Sequence, residues 1–408
     1  MRTRRFVVGA FAGLLLAQFN VQTTTCVANA SEDAMESQYE DWFDVSGEVT
    51  YPITPDSEEW DDLTYLERRE ACQVPQELLE TLSDYEVVNL AITYPLQTEA
   101  FIYSTYEDGV EHLISVSNVF EELFSRGDIS EALITAYAEN EVDYSQITNE
   151  TVDDGESYLQ ERVIEVLLAY QWNAGELDND QKNSVVDLQK EKNELHKIQD
   201  PEASGLLFFY DVLLEDEDIH IVIAPAATST VGFIAGGSGY TIYSAYFTGG
   251  IYYKYGTSAS CYRYDSNDMS SSEKSIVNAS FANTYPDLVY KSTATYKYNC
   301  HSYCWISNTY TNIYWLNNPS NFMNATSYFT SHSANSAISK GDYIVIYDSN
   351  GIAHSLIAQT ASSGSSATSR MTTTTVISKF GTCGVYESTL KDAYDMYDGI
   401  YYRVYTPK

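Results

Sequence analysis

Residues 298–305 read Tyr298-Asn299-Cys300-His301-Ser302-Tyr303-Cys304-Trp305, and residues 341–358 read GDYIVIYDSNGIAHSLIA, with His354 in the returning half. Strand-like alternation through Thr293 to Tyr298 precedes the first run, and helix-compatible residues continue to about Ser307. That places Cys300 at a helix start, where the helix dipole and free amide hydrogens favour the nucleophilic thiolate. One of those amides is also placed to stabilise an oxyanion. In the second run, Gly341 to Asp348 reads as a strand, Ser349-Asn350-Gly351 as a turn and 352–359 as the returning strand. His354 alternates in phase with Ile352, Leu356 and Ala358, so it faces the apolar side. A histidine there is either a satisfied core residue or the base that a cysteine nucleophile needs. A third strand, Thr372 to Phe380, is expected to pair with the second across the loop 360–371. In-register pairing sets Ser378 opposite His354, where its hydroxyl would orient the ring.

Upstream, the rhythm is helical. Ser271 or Ser272 can cap a helix carrying Ile276, Val277, Phe281 and Ala282, which stops before Pro286. Residues 224–260 are rich in Gly, Ser, Thr, Ala and Tyr, and read as β-structure or an extended connector, with Leu206 to Tyr210 and Ile219 to Ile223 as strands. Between Thr64 and Lys197 the apolar residues step by three or four, giving six or so short helices. Pro75 stands at one first turn, Leu113 to Phe124 form one stripe, Asp128 caps a further helix, and Ser157 to Gln171 form another.

Charge divides the chain. Residues 31–220 hold 48 acidic and 8 basic side chains, whereas 221–408 hold 10 and 11 and carry 24 of the 36 tyrosines. A formal charge of −36 argues against nucleic-acid binding, which needs basic surface, and against docking on anionic lipid. The tyrosines suit strands, or stacking on the sugar rings of a polysaccharide. Arg2, Arg4 and Arg5 precede the apolar stretch Phe6 to Ala17, and Ala28-Asn29-Ala30 gives a small-x-small cleavage pattern. Residues 1–30 thus read as a secretory leader, with the mature chain expected to start at Ser31 outside the cell. No later segment reads as membrane-spanning.

Five cysteines then remain: Cys72, Cys261, Cys300, Cys304 and Cys383. No second Cys or His pair stands at ligand spacing, so neither metal nor cofactor is expected. Cys304, one turn beyond Cys300, reads as a packing residue or a disulfide partner, and His301 as a surface or supporting residue. His112, His196, His220 and His332 have no motif around them.

The run YNCHSYCW, then YWLNNPSNF, then KGDYIVIYDSNGIAHSLIA, then ISKFG resembles the NlpC/P60 and CHAP group of secreted cysteine peptidases and amidases. Within that group it is similar to an exported branch with the pattern YNCHSYAW…HSAIV…SKWG. The resemblance covers about residues 270–408, and 49–140 resembles the helical lead-in of the same branch. It implies a papain-like α+β core, Cys300 as nucleophile and His354 as base, and cell-wall peptide as substrate. Better-known members carry Asp-Cys-Ser-Gly where this chain has Asn299-Cys300-His301-Ser302. On the strand that supplies their third catalytic residue, this chain offers Ser378 and Lys379.

The expected organisation is a leader over 1–30, an irregular acidic lead-in over 31–63, and an acidic helical domain over 64–200. A strand-rich connector over 201–269 and a papain-like hydrolase domain over 270–408 follow. The alternative is a non-enzymatic exported surface-binding protein that keeps the fold.

Overall fold

The period-two alternation beyond residue 285 folds into an antiparallel sheet. The computed structural model describes residues 39–127, 129–143, 153–199, 220–221, 233–234, 247–264 and 268–408. The segment expected as a leader and most of the expected 201–269 connector lie outside them, as does the expected strand Leu206 to Tyr210, while His220–Ile221 pairs with Phe233–Ile234. Strand β1 (Phe247–Lys254) turns into β2 (Thr257–Tyr264) through Tyr255 and Gly256, both at positive φ, the geometry of a two-residue hairpin turn.

The main sheet uses β3 (Val289–Ser292), β5 (Phe329–Ser333), β6 (Tyr343–Tyr347), β7 (Ile352–Ala358), β8 (Thr375–Lys379), β9 (Val385–Thr389) and β10 (Tyr401–Pro407). Their order is β3-β9-β8-β7-β6-β10-β5, every neighbour antiparallel. A separate ladder joins β1, β2 and β4 (Tyr314–Trp315). The histidine strand β7 is therefore central, and Ala353 to Ala358 are all buried.

The helices start where side chains can take up free amides. Helix α1 (Tyr65–Ala71) is capped by Thr64 and α3 (Asp84–Ile92) by Ser83, each with a glutamate three residues on that returns the bond. Between them α2 (Gln76–Leu79) starts directly after Pro75, without a side-chain cap. The single stripe expected over Leu113–Phe124 is two helices, α4 (Tyr106–Val116) and α5 (Asn118–Ser125), because Ser117 adopts an extended backbone. Helices α6 (Ile129–Glu139), α7 (Asp153–Ala174) and α8 (Asn179–Gln199) follow, with Asp128 outside the described residues. Helix α9 (Ser271–Thr284) is capped by Ser270 with Glu273, one residue earlier than its sequence suggests. Next come α10 (Cys300–Trp305), α11 (Ser320–Met323), α12 (Ala367–Thr373) and α13 (Leu390–Met396). Strand β8 starts three residues later than expected because Ser366 and Ser369 form a capping box that winds 367–373 into α12.

The class is α+β. Asp41–Lys408 form one compact unit, in which acidic-half helices meet the sheet. Trp60 Nε1 donates to Thr284 O at 3.0 Å, and Arg68 pairs with Asp287 at 3.1 Å. Arg69 pairs with Asp398 at 2.6 Å, and Tyr285 donates to the buried Glu99 at 3.1 Å. Among the described residues no helix is long and apolar enough to cross a membrane.

Candidate active site

Helix α10 is fixed at both ends. Asn299 caps it, its Oδ1 accepting from Ser302 N at 3.0 Å while its Nδ2 donates to Leu316 O and Ser104 Oγ. At the far end Trp305 is fully buried, edge-on to Phe329, Tyr343 and Tyr405 at ring distances of 5.3, 5.1 and 5.5 Å. Its Nε1 donates to Ser355 Oγ at 3.1 Å, tying the helix to the central strand. Cys300 therefore begins the helix, as its sequence suggests.

The Cys300 sulfur is wholly buried. Burial pushes its pKa up to about 11, against the backbone amides of Ser355 and His301 and the Ser104 hydroxyl, which favour the thiolate. Ser104 Oγ lies 3.9 Å from the sulfur. Ser355 follows His354 on β7, so the sulfur sits against the main chain beside the expected base.

Neighbouring strand residues point to opposite faces. Ser355 faces α10, where its Oγ meets His301 Nδ1 at 2.8 Å as well as Trp305. His354 faces Tyr397 and Phe380, at ring distances of 4.0 and 5.2 Å. Among the described residues neither nitrogen of His354 has a hydrogen-bond partner. The pair is thus brought to adjoining positions without a thiol–imidazole bond. Burial holds the His354 pKa well below its ordinary value, and the nearby His301 ring adds to that. His301 is lowered to about 3, again by burial. At neutral pH the site holds a neutral thiol and two neutral imidazoles, not the thiolate that a helix start alone favours. With every group desolvated, burial outweighs the helix-end amides.

Ser378 does not lie opposite His354. Strand β8 pairs Val376 with Ala358 and Ile377 with Ile357, and extending that register brings Phe380 to His354. The Ser378 hydroxyl donates to Ser355 O at 2.7 Å, so it braces the strand and leaves the ring alone. Lys379 is fully buried, and its Nζ donates to Thr295 O, Gly381 O and Cys383 O. Cys304 is a free thiol packed under Leu356 O, which settles the choice left by its spacing in favour of packing. Among the described residues no group of His, Cys, Asp and Glu could hold a metal ion.

Sequence reasoning missed Ser104, Ser355, Tyr397 and the burial of His301. Only Ser355 carried a local signal, as the neighbour of His354. Comparison of the chain with protein-family models, curated proteins and solved structures gives no match.

Proposed function

We propose that the chain is an exported cysteine hydrolase of papain-like type that cleaves amide bonds, with Cys300 as nucleophile and His354 as general base and acid. The observation that carries this reading is the seating of the Cys300 sulfur between the start of α10 and the main chain beside His354, with two backbone amides favouring its thiolate. The thiol proton passes to His354 as sulfur adds to the amide carbonyl. The imidazolium then protonates the leaving nitrogen, the C–N bond breaks, and a thioester remains. Water cleaves the thioester, releasing the acid and restoring the thiol. Among the described residues no polar group bonds to the ring; the faces of Tyr397 and Phe380 hold it. The substrate class that the family resemblance supports is a peptidoglycan-like peptide.

A second reading is a non-enzymatic exported binding protein with this fold. It is favoured by the unpartnered ring nitrogens of His354 and the buried, neutral thiol. The discriminating experiment incubates the mature exported protein with peptidoglycan-derived peptides and follows amine release. Loss of release in both Cys300→Ala and His354→Ala supports the hydrolase. Release that survives Cys300→Ala removes Cys300 as the nucleophile, and no release from protein whose Cys300 is readily alkylated selects the binding reading.

A further inference from the structure

The covering of Cys300 comes from far away in sequence. After a 3-10 turn at Gln97–Phe101, the chain runs through Ile102, Tyr103 and Ser104 before Thr105 caps α4. Ser104 lies against the Cys300 sulfur and accepts from Asn299, the cap of the cysteine helix. The main chain of this segment is held from the other side of the site at three carbonyls. Thr382 N donates to Phe101 O at 3.0 Å, Tyr397 OH to Ile102 O at 2.7 Å, and Trp315 Nε1 to Ser104 O at 3.0 Å. Gly381, at φ +47°, is required here, because a Cβ would run into Phe101 O and the Ile102 main chain. Main-chain carbonyls held by fixed donors, whatever the side chains, are how a groove holds a peptide.

We propose that Phe101–Ser104 is an autoinhibitory strap that occupies the place of a substrate's main chain over Cys300. This rests on reading Cys300 as the nucleophile. With the strap seated, the thiol has neither solvent nor room for a carbonyl carbon, and burial keeps it protonated. Withdrawal of the strap frees Thr382 N, Tyr397 OH and Trp315 Nε1 for the carbonyls of an incoming peptide and admits water to the sulfur. All four strap residues are buried, so opening lifts Phe101, Ile102 and Tyr103 from their packing while α10 stays tied to the sheet through Trp305 and Ser355.

Iodoacetamide labelling of the full folded chain tests this, with Cys304, one turn away beneath the same helix, as the internal control. A strap that opens by itself exposes Cys300 and leaves Cys304 buried. Cys300 should then label at least tenfold faster than Cys304, at a rate that stops rising as reagent is increased. Tyr397→Phe removes the bond to Ile102 O, and Ser104→Ala removes the contacts with Asn299 and the sulfur; each should speed Cys300 labelling by about fivefold or more, the scale of one neutral hydrogen bond, without changing Cys304. Equal rates at the two thiols in the wild-type chain overturn the proposal, since the segment then opens only with the whole core. Labelling of Cys300 at the rate of a free thiol overturns it as well, because nothing would be covering the sulfur. Gated labelling with no amide hydrolysis even in the faster-labelling Ser104→Ala and Tyr397→Phe variants leaves the covering segment standing and removes the hydrolase.

Discussion

The imidazole of His354 lies nearly flat on the phenol ring of Tyr397, with centroids 4.0 Å apart and planes 17° from parallel. The same phenol hydroxyl reaches away to Ile102 O. One residue of the loop after α13 thereby holds the ring on the central strand and the segment that crosses the cysteine. The stack also helps to bury the imidazole, and burial is what keeps it neutral.

Two substitutions separate these duties. Tyr397→Phe keeps the stack and loses the bond to Ile102 O, so it should cost about 1 kcal/mol of stability. Tyr397→Ala removes a fully buried ring and should cost about 3–5 kcal/mol. Urea unfolding of the two variants reads both values. Equal costs would mean that the hydroxyl, not the stack, secures the site.

Lys379 carries the next prediction. Its ammonium has three donors, and three main-chain carbonyls receive them, two from the loop after β8 that seats Phe101. Lys379→Met strands those acceptors and should cost about 3 kcal/mol, the upper end for hydrogen bonds to a charged group. Burial pulls the pKa of Lys379 down to about 7, below the roughly 10.4 of an unfolded lysine. Between those values the unfolded chain binds the proton more tightly, so this group adds stability as pH rises. The gap between wild type and Lys379→Met should therefore widen from pH 7 to pH 9. A gap that stays level would show that the amine stays fully charged in its ring of carbonyls.

How much of this was legible follows from range. The β6–β7 hairpin was readable because alternation and the Ser349-Asn350-Gly351 turn are local, and Asn299 before Cys300 is a local cap. Register was not. Placing Ser378 opposite His354 needed the length of the 360–371 loop, and the Ser366–Ser369 capping box spent part of the expected strand on a helix. The state of the thiol was not legible either, because a helix start favours a thiolate while burial, decided by residues two hundred positions away, opposes it. Ser104 sits in no motif, and only the folded chain brings it to Cys300. The step in charge near residue 220 likewise gave no sign that Glu99 is buried under Tyr285.

Glu99 gives a double-mutant test of that buried seam. Its carboxylate accepts from Tyr65 OH at 2.8 Å, Tyr285 OH at 3.1 Å and His112 Nε2 at 2.9 Å. His112 Nδ1 lies 3.5 Å from Asp398, which in turn pairs with Arg69. His112→Leu leaves a buried carboxylate short of its basic partner and should cost about 3–5 kcal/mol. Adding Glu99→Gln to that variant removes the stranded charge and should return part of the loss. Strictly additive costs in urea unfolding would mean that the two groups do not interact.

Alkaline pH should unfold this protein steeply. Burial, the largest cause in each case, raises the thiol pKa to about 11 at Cys300 and about 12 at Cys383, and higher still at Cys72 and Cys304. Unfolded thiols titrate near about 8.5. Above that pH the unfolded chain has released protons that the folded chain still holds, so stability falls as pH rises, and it is undiminished below it. Each such thiol contributes a slope of about 1.4 kcal/mol per pH unit. The four together reach roughly 5 kcal/mol per unit, a large part of a typical domain's stability within one to two pH units. Lys379 opposes this with a slope of one group only. Urea midpoints followed by tryptophan fluorescence should be flat from pH 7 to 8 and collapse between 9 and 10. Cys383→Ala should lower the slope by about one thiol's share, 1.4 kcal/mol per unit, whatever it does to the midpoint at pH 7. A midpoint that holds level to pH 10 would mean that the buried thiols ionise in place, through openings of the fold that leave the rest intact.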